Sequence, residues 1–232
     1  MDRIGIIGAM DEEVNQLKGK MTEVKVTGKA GMDFLSGKLG SKDVVIVRSG
    51  IGKVNAAIST QILIDDFQTG VVINTGIAGS LKAEINIGDM VVSTDALHHD
   101  MDATGFGYEY GVIPRMETSV FKAEEELVKK AVRICSQVNP DIAVYSGRVV
   151  SGDQFISDKA KKTWISNQFE GFCTEMEGAA IAHTAYLNKV PFLIIRAISD
   201  KADDSANMDY GKFEAAAIAH TVKFVTALIE EL

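Results

Sequence analysis

Three acidic residues stand where a carboxylate could do chemistry: Glu13, Glu177 and Asp200. Glu13 closes a run of acids, Asp11, Glu12 and Glu13, at the start of a helical pattern. Acids in a first turn interact well with the helix dipole, which accounts for all three without any function. Helical geometry separates them. At 100° per residue, Met10, Val14 and Leu17 form one apolar stripe, with Glu13 nearest its edge, Asp11 further and Glu12 nearly opposite. If one acid faces a pocket, it is Glu13. Glu177 precedes a stretch, 178–182, that is small and apolar all round, as a closely packed buried helix is. No Lys or Arg lies within four residues of it, so no local ion pair explains it. It is either a helix-start acid or a buried carboxylate, and the latter needs donors such as the paired hydroxyls of a ligand. Asp200 ends the mainly apolar run 192–199. It is an N-cap, a partner of Arg196, or a general acid at the carboxyl end of a strand. Partial withdrawal from water suits the last role, because it keeps a carboxyl protonated to higher pH.

Other reactive types carry less. His98 and His99 fall in a loop-like stretch, and His183 and His220 in helical patterns. None has HExxH or Cys/His spacing, so no metal is expected. Phe155 follows the glycine turn 151–153, as a core residue or as a stacking surface. The segment from Phe106 to Pro114 interleaves aromatics with glycines and is poor at burying itself. It is a solvated loop or, the reading preferred here, an interface or lid.

These residues need a scaffold. Short β-branched runs at 4–7, 44–47, 71–73, 90–92, 143–150 and 192–198 lack polar alternation, as strands covered on both faces do. Helical patterns at 11–18, 54–66, 123–137, 177–187 and 210–232 lie between many of them. The alternation predicts an α/β domain of three layers, α/β/α. Residues 32–39 resemble an antiparallel hairpin arm, so the central twisted sheet is expected to be mixed. Ligands in such folds bind beyond the carboxyl ends of the strands. There the chain reads Gly8-Ala9-Met10, Ser49-Gly50-Ile51-Gly52, Asn74-Thr75-Gly76, Ser151-Gly152-Asp153 and Ser199-Asp200. Glycine in these places makes tight turns or brings backbone close to a ligand. No GxGxxG or Walker loop occurs, so dinucleotide and ATP readings lack their signature.

Composition narrows the class. Of 232 residues, 46% are hydrophobic and 24% charged, which excludes disordered, collagen-like and coiled-coil chains. No apolar run approaches the roughly 20 residues of a membrane span. The net charge of −8 opposes broad nucleic-acid binding, which rests on Lys and Arg neutralising phosphates. Two cysteines, Cys135 and Cys173, make no disulfide framework. The acidic start lacks the basic-then-apolar order of a secretory signal, and with so few cysteines a reducing cytoplasm is expected. Without linkers or repeats, residues 1–232 are expected to form one domain.

Seven ordered segments together resemble the 5′-methylthioadenosine/S-adenosylhomocysteine nucleosidase family, within the purine nucleoside phosphorylase-like superfamily. They are GIIGAMDEEV at 5–14, SGIGKVNAA at 49–57, NTGIAGS at 74–80, HHDMDATGFGYEYG at 98–111, SGDQFI at 151–156, EMEGAAIAH at 175–183 and RAISDKAD at 196–203. The resemblance implies a nucleoside phosphorylase-like α/β/α homodimer that cleaves an adenine N-glycosidic bond with water, without cofactor. Its substrates would be 5′-methylthioadenosine, S-adenosylhomocysteine and 5′-deoxyadenosine. It further implies that Asp200 protonates adenine N7 and that Glu13 activates the water. Glu177 would hold the ribose hydroxyls, with Met176 against the sugar. Phe155 would stack on adenine and the Ile156 backbone would meet its edge. Met10, Ile51 and Phe213 would line the pocket, and Phe106 and Pro114 would reach into the partner subunit's site. Two departures are visible. Ile77 stands where many members have serine, so no role passes to it, and Ala103 is smaller than the usual aliphatic there.

The rivals are a purine nucleoside phosphorylase, kept open by Arg48 and Arg196, and another nucleoside hydrolase such as a futalosine hydrolase. A non-catalytic nucleoside-binding protein on the same fold is a third. Phosphate needs cations or N–H groups, and Glu13 on the nucleophile side would repel it. Binding alone does not need both a proton donor and a water base.

Overall fold

The β-branched runs become strands because each has an apolar partner on both faces. Along the first strand, β1 (Arg3–Gly8), Ile4 and Ile6 enter one buried cluster and Ile7 the other. β4 (Lys42–Arg48) divides Val44 and Ile46 from Val45 and Val47 in the same way. In β10 (Phe192–Asp200), Leu193 and Ile195 oppose Phe192 and Ile194. This period of two follows from the strand pleat. The computed structural model describes residues 3–202 and 206–232, and for 206–216 it describes only the side chain of Phe213.

The remaining strands are β2 (Met21–Lys29), β3 (Met32–Leu39), β5 (Thr69–Ser80), β6 (Met90–His98), β7 (Phe121–Lys122), β8 (Val144–Ser151) and β9 (Cys173–Glu175). The helices are α1 (Asp11–Lys18), α2 (Lys53–Asp65), α3 (Glu125–Val138), α4 (Lys159–Phe169), α5 (Gly178–Asn188) and α6 (Ala206–Glu231). α1, α3 and α6 pack on the first cluster, and α2 and α5 on the second. The result is a mixed sheet between helical layers, as expected. β2, β3 and β4 are antiparallel neighbours, while β4, β1, β5 and β10 run parallel.

The sheet also curls. From β5 the path runs through β10, β6, β8 and β9 and returns to β5, closing a ring. The three-residue β9 closes it with two residue pairs, Gly79 with Thr174 and Ser80 with Cys173. A strand so short shows no periodicity, so it escapes a sequence reading. β2 and α4 were likewise not anticipated. β2 lies at the sheet edge and is mostly exposed, with little apolar pattern to show.

Two expectations need correction. Asn74, Thr75 and Gly76 do not turn the chain after a strand, because β5 continues to Ser80. Gly76 and Gly79 are there to admit other side chains. A Cβ on Gly76 would lie 2.5 Å from Glu13 Oε1, and one on Gly79 would lie 2.7 Å from Asp200 Oδ1. Of the two histidines expected in a loop-like stretch, only His99 lies in a turn. His98 ends β6, and both are buried.

Candidate active site

A cavity of about 450 Å³ opens where the carboxyl ends of β1, β5 and β10 meet β9. Four acids line it, Glu13, Glu175, Glu177 and Asp200, and no Lys or Arg does among the described residues. The structure thus brings together the three acids that lie far apart in the chain.

α1 starts directly beyond β1, which turns Glu13 inward while Asp11 and Glu12 stay exposed. Glu13 Oε2 accepts hydrogen bonds from the N–H groups of Ala9, at 2.6 Å, and Met10, at 3.0 Å. Its Oε1 accepts the Ile77 N–H at 3.2 Å. A carboxylate has about four lone-pair sites. With three used, one remains on Oε1 for a water. Burial pushes the Glu13 carboxyl above its ordinary range, against the pull of Arg196 and the three N–H groups. Ile77 therefore serves Glu13 through its backbone, while its side chain lines the cavity.

Glu177 is the N-cap of α5, yet its side chain makes no cap hydrogen bond to that helix. It reaches across instead, and its Oε1 accepts the Gly52 N–H at 2.8 Å. Burial first, and then the Glu175 charge, push it up to about 8. A helix-start role does not account for this placement.

Asp200 is buried at the end of β10. Its Oδ2 accepts the Ser199 hydroxyl at 2.8 Å and its Oδ1 the Ala202 N–H at 2.7 Å. It lines the cavity rather than capping a helix, and five residues separate it from the start of α6 at Ala206.

Glu175 escaped the sequence reading, and Arg196, considered there as a partner of Asp200 or a phosphate cation, has another role. Glu175 is buried and pairs with the Arg196 guanidinium, accepts the Ser151 hydroxyl, and accepts the Gly178 N–H at 2.8 Å. Burial alone would raise its pKa, but Arg196 and these hydrogen bonds hold it low. Arg196 also donates to the Asn74 side-chain oxygen. The signal was present: an arginine inside a run of Ile and Leu needs a buried carboxylate. Arg48, the other cation considered for phosphate, pairs with Asp11 at 3.3 Å and lies outside the lining.

Met10, Ile51, Phe155 and Met176 line the cavity, and Ile156 with Phe155 borders an adjoining recess that includes Asp200. Phe213 is part-buried on α6, outside the described lining. Phe106 is 87% exposed at the end of a 3-10 turn (Thr104–Phe106), and Pro114 is part-buried further along. Neither reaches the cavity of its own chain. Ala103 is buried beneath that turn, also outside the lining. Asp203, which ends the seventh sequence segment, lies outside the described residues.

The chain that builds this acid-lined cavity has counterparts among known proteins. The family model of the phosphorylase superfamily matches residues 3–230, and the chain belongs to that superfamily. A 5′-methylthioadenosine/S-adenosylhomocysteine nucleosidase of Exiguobacterium sp. is 46% identical over 99% of this chain and 98% of its own. The Neisseria meningitidis nucleosidase of the same name, solved in complex with methylthio-immucillin-A, is 37% identical. It superposes with a TM-score of 0.95 over the whole of both chains. Within the superfamily, the chain thus falls in this nucleosidase family. A futalosine hydrolase of Helicobacter pylori is also similar, at 31% identity and a TM-score of 0.94, covering 100% of this chain and 98% of that one.

Proposed function

We propose that the protein hydrolyses the N-glycosidic bond of 5′-methylthioadenosine and S-adenosylhomocysteine, and of 5′-deoxyadenosine, releasing adenine and the 5-substituted ribose. The carrying observation is a lining with four acids and no described cation. That suits a reaction whose sugar becomes oxocarbenium-like and whose nucleophile is neutral water. It suits an attacking phosphate poorly, because phosphate needs cationic or N–H-rich contacts and Glu13 would repel it.

In this mechanism Asp200 donates its proton to N7 of the departing adenine. Ser199 and Ala202 hold the carboxyl in place for that transfer. Water attacks the anomeric carbon from the opposite side and gives its proton to the free lone pair of Glu13. The ribose hydroxyls meet Glu177, with Met176 against the sugar. Phe155 supplies the face for adenine and the Ile156 backbone its edge. Met10, Ile51 and Phe213 complete the apolar wall. Both proton transfers use side chains of the chain itself, so the step requires no metal or redox cofactor. Among the described residues no three His, Cys, Asp or Glu side chains are grouped to hold a metal. The test is free adenine from methylthioadenosine in phosphate-free buffer. A strict phosphate requirement with a sugar 1-phosphate product would falsify the hydrolase reading and favour the phosphorylase. Turnover of futalosine alone would favour that hydrolase instead.

We read residues 1–232 as one domain, since one sheet connects all the described strands. Its two unpaired, buried cysteines favour a reducing, cytoplasmic location. The active unit is a homodimer in this reading. Phe106, Tyr108 and Tyr110 are exposed on one segment, and aromatic anchors of this kind dominate interfaces. With Phe106 and Pro114 closing the partner's pocket over the 5′ group, Phe106→Ala should discriminate between substrates. It should cost methylthioadenosine about 1–3 kcal/mol more in kcat/KM than adenosine, the usual worth of apolar complementarity. Equal losses for both, or full activity from a monomer by light scattering, would remove this role.

A further inference from the structure

Three turns that are distant in sequence meet beside the cavity through a closed ring of polar bonds. Lys53, the first residue of α2, donates its Nζ to both carboxylate oxygens of Asp100, at 2.7 and 2.8 Å. Its backbone N–H donates to Asp153 Oδ1 at 2.8 Å. The Asp153 N–H closes the ring by donating to Asp100 Oδ2 at 3.0 Å. The ion pair is mostly sheltered, with side-chain exposures of 23% for Lys53 and 14% for Asp100. Burial would raise the Asp100 pKa, yet the Lys53 and Asp153 hydrogen bonds hold it below its ordinary value. Charge-assisted bonds of this kind are roughly twice as strong as neutral ones. The corner is also tightly packed: a Cβ on Gly152 would lie 2.6 Å from His99 Nε2 and 3.0 Å from Asp100 Cγ.

Two of the turns carry a part of the site, while no member of the ring lines the cavity. Next to Lys53, Gly52 donates its N–H to Glu177, and Ile51 lines the cavity. Two residues beyond Asp153 is Phe155, also in the lining. We propose that Asp100, Lys53 and Asp153 are positioning residues whose ring sets the distance between the turn that holds Glu177 and the turn that carries Phe155. The assignment rests on the nucleosidase reading for its consequence: the ring registers the ribose edge of the site against its base edge. Glu13 and Asp200 are held separately, by Ala9, Met10 and Ile77 and by Ser199 and Ala202. Loosening the ring therefore impairs binding more than chemistry.

The test uses Asp100→Asn, Lys53→Met and Lys53→Arg in the full chain, with methylthioadenosine kinetics, adenine calorimetry and hydrogen exchange. Asp100→Asn and Lys53→Met are expected to raise KM and the adenine Kd about tenfold, a modest misplacement on the scale of up to ~100-fold for 1 Å. Their kcat should stay within about threefold of wild type, and Lys53→Arg, which keeps the cation, should bind nearly as wild type does. Both turns, 49–53 and 151–156, should lose exchange protection together in Lys53→Met. Unchanged KM and unchanged protection would overturn the proposal. So would a fall in kcat and thermal stability with KM unmoved, which marks a purely structural ion pair. Wild-type protein inactive on methylthioadenosine would instead overturn the nucleosidase reading, and the exchange of the two turns would still decide whether the ring positions them.

Discussion

Asp200→Asn is expected to lower kcat by about 10²-fold or more, the scale of a lost general acid. Asparagine has nearly the same shape but no proton to give. Asp200 Oδ1 accepts the Ala202 N–H and Oδ2 the Ser199 hydroxyl. An amide oxygen can keep the first bond, and the serine hydroxyl can rotate to accept from the amide N–H₂. The fold should therefore survive, and circular dichroism checks this. Adenine without its proton is a poor leaving group, so the loss should appear in kcat rather than in KM. A substrate whose base leaves without protonation should be much less affected. Single-turnover rates on both substrates make the measurement, and near wild-type turnover of methylthioadenosine would remove Asp200 from the mechanism.

Glu13→Gln is the second large effect, again about 10²-fold or more in kcat. Glutamine can accept on its oxygen but cannot take the proton of the attacking water. Its N–H₂ group would also face the N–H groups of Ala9 and Met10, or that of Ile77, and one of these contacts must be lost. Binding of adenine should hold comparatively well, because in the proposed mechanism the base meets Phe155 and Asp200 rather than Glu13. The pH profile adds a sign. The base must be ionised to work, and burial raises the Glu13 pKa. Activity should therefore fall as pH drops through a value above the ordinary carboxylate range, and the residual activity of Glu13→Gln should lack that limb. A limb that persists unchanged in the variant would assign it to another group.

The sequence alone determined the elements with strong local pattern and the acids that local geometry singles out. Ile4, Ile6 and Ile7, or Val44 to Val47, suit strands buried on both faces, because a short β-branched apolar run has no solvent side. Glu13 was distinguishable from Asp11 and Glu12 because helical phase is a local property, and only Glu13 is buried. Glu177 and Asp200 were legible for a similar reason, as acids beside apolar stretches that offer no local partner for Glu177. Tertiary structure decided the rest, because it rests on contacts between residues far apart in the chain. Gly76 read as a turn former, yet it and Gly79 are strand residues kept bare for Glu13 and Asp200, which arrive from other elements. Glu175 becomes the partner of Arg196 only because β9 closes the ring of strands beside β5. Nothing in the local pattern singles out Lys53, Asp100 and Asp153 as partners of one another. Their ring exists because the turns at α2, β6 and β8 converge, and no spacing along the chain encodes that meeting.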